Sequence, residues 1–282
     1  MLKLICPLAF IFTGTPATSC NNNIDTTALQ KDVLVLTNKI DLPGVSGRID
    51  HIAYDTAHHL AFIAALGNNT IEVVNTLTGA HVHTISDLHE PQGVCYLPAV
   101  NRLVVANGGN GDCIFFDCNT FKPIKHIPLN DDADNLRYDA SAGKVYAGYG
   151  DGGIAVIDAA SMQQTVSIPV NGHPESFQLD SSGKKLYINV PDAHEIAIAN
   201  IETASVTATW KNSGASGNFP MAADSKLNRL FVVYRHPAQL KVFDLSNGKL
   251  IVTTGCSGDA DDIFMTRKKG LFSYHAGRDT LI

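Results

Sequence analysis

Carboxylates, histidines and an arginine recur in short polar stretches at six places along the chain: Arg48 with Asp50-His51, Glu90 with Gln92, Asp132 with Asp134-Asn135, His173 with Glu175, Asn218-Phe219, and Asp259 with Asp261-Asp262. Carboxylates and amides converging on one point suit a hard cation such as Ca²⁺. With His51 and His173 added, the same set would suit a transition metal. The metal-ligand candidates are Asp50, Asp134, Glu175 and Asp261. A carboxylate beside a histidine also supports acid–base chemistry or metal-assisted hydrolysis. Asp and Asn are equally ordinary turn formers, so these side chains could instead serve only their own loops.

Other chemistry-bearing motifs are weaker. Asn107 to Asp112 (NGGNGD) is glycine-rich, but no Lys-Ser/Thr pair and no helix pattern follow, so it reads as a hairpin turn rather than a phosphate cradle. There is no G-x-S-x-G nucleophile elbow and no C-x-x-C-H haem attachment. Trp210 and Tyr234 read as packing residues. No residue is assigned a catalytic role.

The elements that must carry these stretches follow from a repeat. An apolar residue opens a strand at Leu60, Leu103, Val145, Leu186, Leu230 and Leu271, and an Asp or Asn closes the next strand at Asn75, Asp117, Asp158, Asn200 and Asp244. Both series have a period of about 42 residues. Each unit reads as four short strands with period-two alternation; in the third they are 135–139, 144–149, 153–158 and 164–169. Four strands per repeat of this length is the signature of a β-propeller blade, whose faces are covered only by neighbouring blades. The expected blades are about 47–92, 93–134, 135–175, 176–219 and 220–261, with a partial sixth at 262–282. The six polar stretches then lie where one blade's outer strand crosses to the next blade's inner strand, at the mouth of the central channel. The closing Asp and Asn residues are expected to cap turns.

The chain has 282 residues, 45% hydrophobic and 17% charged, with a formal net charge of −6. That balance disfavours a nucleic-acid partner bound by charge neutralisation. Residues 1–19 combine a positive start, an apolar run and small residues at Ala17 and Ser19, the order of a secretory signal peptide. Ala17 to Cys20 also has lipobox character, making Cys20 a candidate lipidation site and the one expected route to a membrane. Residues 20–32 read as a flexible tether and 33–282 as the propeller. An exported, periplasmic or secreted monomer is expected, as a lipoprotein if Cys20 is modified. Cys95, Cys113, Cys118 and Cys256 follow the leader at no metal spacing, and no disulfide pairing is assigned.

Leu186 to Val190 (LYINV), Leu103 to Asn107 (LVVAN), Gly67 to Asn75 (GNNTIEVVN) and Ile154 to Asp158 (IAVID) resemble the YVTN repeat. From about residue 33 the chain resembles secreted bacterial YVTN-repeat (YncE-like) β-propeller proteins. The resemblance implies an all-β, seven-bladed ring, of which this chain would lack the C-terminal part. The alternative is six blades closed by the strand-like run 32–42. Relatives by fold include lactonases and plain binding scaffolds, and single-stranded DNA binding is known among the YncE relatives. The expected function is a non-catalytic module that binds a small ligand or a protein through the acidic channel mouth. The alternative is a metal-assisted hydrolase such as a lactonase, and a divalent ion at the mouth is the one cofactor considered.

Overall fold

The computed structural model describes residues 38–266 and 271–276. The expected signal peptide, Cys20 and the expected tether lie outside the described residues. So does 32–37 of the strand expected at 32–42, and its remainder, 38–42, is not strand.

Asp and Asn turns divide the chain into strands of mostly six or seven residues. Blade one comprises β1 (Ile52–Asp55), β2 (Leu60–Ala65), β3 (Thr70–Asn75) and β4 (Ala80–Ile85). Blade two comprises β5 (Pro91–Leu97), β6 (Arg102–Asn107), β7 (Asp112–Asp117) and β8 (Pro123–Pro128). Blade three has β9 (Ala133–Asp139), β10 (Lys144–Tyr149), β11 (Gly153–Asp158) and β12 (Gln163–Pro169), and blade four β13 (Phe177–Leu179), β14 (Lys185–Val190), β15 (Glu195–Asn200) and β16 (Ser205–Lys211). Blade five has β17 (Ser216–Asp224), β18 (Arg229–His236), β19 (Ala238–Asp244) and β20 (Leu250–Gly255), and β21 (Ala260–Thr266) pairs with β22 (Leu271–Ala276) in the sixth. Each of the five complete sheets is antiparallel with its strands in sequence order, and these are the blades of a β-propeller.

The expected Asp and Asn turns are present. Asn75 Oδ1 accepts the N–H groups of Leu77 and Thr78 at 3.0 Å each. Asp117 Oδ1 accepts those of Asn119 and Thr120 at 2.9 Å each, and Asp158 Oδ1 that of Ser161 at 2.8 Å. Register corrects one landmark. Leu60 pairs with Asn75 as Arg102 pairs with Asp117, so Ala61, not Leu60, is the equivalent of Leu103.

Successive residues of the second and third strands face opposite neighbours, and each interface is an apolar layer. Phe62, Ile71 and Val73 of blade one pack on Leu103, Val105 and Ile114 of blade two. Val104, Cys113 and Phe115 pack on Val145, Ala147 and Ile157 of blade three. Tyr146, Ile154 and Val156 pack on Leu186, Ile188 and Val190, and Tyr187 and Ile198 on Leu230, Val232 and Phe243. Full burial of such side chains stabilises by about 1.5–3 kcal/mol each. The fourth strands form an exposed rim. The donors of the polar anchors differ between two of these interfaces. Arg102 donates to the Ala159 carbonyl at 2.9 Å between blades two and three. Between blades four and five, Tyr187 donates to the Leu245 carbonyl at 3.0 Å and Asn189 to the Phe219 carbonyl at 2.9 Å. The four described cysteines are free thiols.

Candidate functional site

The inner strands β1, β5, β9, β13, β17 and β21 enter from loops on one face of the ring, and these loops and strand starts surround a cavity of about 250 Å³. Blade one supplies Arg48, Asp50 and His51; blade two supplies Gln92; blade three supplies Asp132, Asp134 and Asn135. Blade four supplies His173, Glu175 and Ser176, blade five Phe219 and Arg235, and blade six Asp261. Close approach of the inner strands demands glycine at one point. A Cβ on Gly93 would lie 1.9 Å from the Asp134 carbonyl oxygen, so β5 can pass β9 there only without a side chain.

Four expected site residues lie elsewhere. Glu90 is exposed in a left-handed turn with φ 48°, its N–H held by Asn69 at 2.7 Å. Asp259 is also exposed. Asn218 is fully buried, donating to Asn189 Oδ1 at 3.1 Å and the Glu195 carbonyl at 3.0 Å, so its amide holds blades four and five together. Asp262 lines a second cavity of about 220 Å³ that shares His51 and adds Arg137, Gln178 and apolar walls from Ile52, Leu136 and Phe264. Sequence reasoning missed Arg235 and left Ser176 out of the candidate set. Ser176 follows Glu175 directly, and its hydroxyl accepts from Arg137 at 3.2 Å.

Pairing dominates the electrostatics. Asp134 stands between the two histidines, 3.9 Å from His51 Nε2 and 3.9 Å from His173 Nε2. His51 Nδ1 meets Asp262 at 3.1 Å, and His173 Nδ1 meets the Gly150 carbonyl at 2.8 Å and Asp132 at 3.6 Å. Burial by itself would lower the His51 imidazole, but the Asp262 hydrogen bond and the carboxylates of Asp262, Asp50 and Asp134 raise it to about 9. His173 also reaches about 9: burial opposes protonation, and Asp134, the Gly150 carbonyl and the Asp132 and Glu175 carboxylates overcome it. Both rings are therefore cations at neutral pH. Arg48 Nη2 lies 2.9 Å from Asp50 Oδ2 without hydrogen-bond alignment, and that buried oxygen has no hydrogen bond. Arg235 lies over the Phe219 ring at 3.9 Å and pairs with Asp261 at 2.8 Å, leaving its buried Nε without an acceptor. Burial raises Asp50 and Asp132 above the usual carboxylate range. Burial first, and then the Asp134 charge, push Glu175 up to about 7.

No protein-family model matches the chain, and no curated protein matches it.

Among the described residues no three His, Cys, Asp or Glu side chains form a metal-ligand group. Of the four metal candidates, Asp50 and Asp261 face arginines and Asp134 lies between histidinium rings, so neighbouring cations already meet their charge. The arrangement suits hydrogen bonding and charge pairing with a small polar molecule.

Proposed function

We propose that this protein is an exported, non-catalytic binding module of the YVTN-repeat propeller type that takes a small polar ligand in the channel-mouth cavity. The observation that carries this reading is the cavity of about 250 Å³, to which each of the six described sheets contributes polar side chains from its own strands or entry loop. Loops held by a rigid scaffold are where recognition concentrates, and a concave site of this size fits a small molecule better than a protein surface. The order of residues 1–19 supports export, with Cys20 as the candidate anchor. The net charge of −6 argues against nucleic acid.

Native mass spectrometry of the purified protein tests this reading. A bound small molecule is expected on the wild type and lost from the double variant Asp50→Asn with Glu175→Gln, which should keep its strand content and cooperative unfolding. Retention of the molecule by the variant overturns the assignment of the site. Lactone cleavage by the wild type that the variant lacks would replace the binding module with the hydrolase.

A further inference from the structure

Resting on the small-ligand reading of the mouth, we propose that the molecule it takes is a small organic cation with N–H donors, a primary ammonium, held against Glu175. Every other carboxylate lining the cavity already has a protein partner. Asp50 faces Arg48 at 2.9 Å, and Asp132 accepts from Gln92 at 3.1 Å. Asp134 lies between His51 and His173, and Asp261 pairs with Arg235 at 2.8 Å. Among the described residues the Glu175 carboxylate has no hydrogen bond and no ion pair, although its backbone N–H is held by the Asn189 carbonyl at 3.0 Å. Four aspartates of the lining face two arginines and two protonated histidines, and Asp262 draws on His51 as well, so the mouth holds no spare cation for Glu175. An incoming anion meets cations that are already paired. An incoming ammonium meets one carboxyl with no hydrogen bond or ion pair to break, on which His173 and Arg235 act only at longer range.

Two further atoms shape the ligand. The buried Asp50 Oδ2 is an acceptor without a hydrogen bond, and the buried Arg235 Nε is a donor without one. A molecule carrying an ammonium and a hydroxyl can serve an acceptor and a donor in the same cavity.

The same groups couple binding to a proton. Glu175 faces Asp134 and Asp132, which disfavour its charge, and His173 and Arg235, which favour it, while burial holds its carboxyl at about 7. An ammonium seated on Glu175 favours the ionised form, so the carboxyl releases its proton as the ligand binds. Only the ionised fraction binds, so affinity rises about tenfold between about pH 6 and about pH 8. His51 and His173, held at about 9, remain mostly protonated across that range.

The test is an NMR titration of the full chain, carboxyl-labelled at Glu, with ethanolamine. Acetate and ethylene glycol serve as anionic and neutral comparisons. Expected are ethanolamine binding about tenfold tighter at the higher pH and a downward move of the Glu175 midpoint from about 7. Glu175→Gln should abolish both while unfolding stays cooperative, and Glu175→Asp should retain binding. If acetate or ethylene glycol binds as tightly as ethanolamine, or if Glu175→Gln binds ethanolamine unchanged, the cation assignment falls and the small-ligand reading stands. If no probe shifts any mouth residue at saturating concentration, both fall.

Discussion

His51 connects three blades through one ring. Its Nδ1 meets Asp262 at 3.1 Å, and its Nε2 lies 3.9 Å from both Asp50 and Asp134. Removing the cation leaves these carboxylates facing one another across a largely buried site. His51→Gln should therefore destabilise the protein by about 3 kcal/mol at neutral pH, the low end for a broken buried pair because the ring is partly exposed. The sign is fixed by the raised pKa. This stabilisation is complete below the unfolded value of 6.5 and is lost as pH rises through about 9. Urea denaturation at pH 7 and pH 10 checks this: the gap between wild type and variant should narrow at the higher pH. A gap that stays constant would show that the ring acts through packing rather than charge.

At the scale of the element, close passage of the inner strands sets the position of Asp134. Gly93→Ala would drive a methyl group into the Asp134 carbonyl, and overpacking of that kind costs about 3 kcal/mol. The move should pull Asp134 away from both histidines, so their midpoints should fall from about 9. Denaturation and histidine NMR on one sample measure the two effects.

Strand elements were legible because they repeat. The turn-closing Asp and Asn side chains act locally, within three residues, and their spacing carried the blade pattern directly. Ala61 was passed over in favour of Leu60 because a small residue does not announce a buried position. Arg235 was missed because β18 runs to His236 and carries it into the mouth, where β6 and β10 stop at Asn107-Gly108 and Tyr149-Gly150. The absence of a turn residue at Tyr234-Arg235 was the available signal. Asn218 could not be placed from sequence, because its partners Asn189 and Glu195 belong to the preceding blade, more than twenty positions away.

Across the whole molecule, two populations of charge oppose each other as pH changes. Turn and sheet carboxylates are held low: hydrogen bonds to Ala57 and His58 outweigh burial at Asp55, those to Ser141 and Ala142 do so at Asp139, and Thr70, Thr84 and His81 do so at Glu72. Their contribution is present above the ordinary carboxylate range and is lost as acid protonates them. The mouth behaves oppositely. His51, His173 and Glu175 are all raised, so their contributions are complete in acid and fade through about 7 for the carboxyl and about 9 for the rings. Stability should therefore pass through a maximum on the acid side of neutrality. Melting temperatures across pH test this, and the pair His51→Gln with His173→Gln should flatten the alkaline limb while leaving the acid limb unchanged. Loss of the acid limb in that variant would contradict the division.

The anchors between blades have a consequence for any attempt to enlarge the ring by copying a module. A second copy of blade four inserted after the first would set Tyr187 and Asn189 against another blade four. Main-chain carbonyls would still be there to accept from them, but the Asn218 side chain that donates to Asn189 Oδ1 at 3.1 Å comes from blade five, and blade four carries Pro174 at that strand entrance. The inserted junction would bury the Asn189 amide oxygen with no side-chain donor to meet it, a penalty of about 1–3 kcal/mol. Similar sheets in this protein are not interchangeable parts, and lengthening it by duplication would require a new junction as well as a new blade.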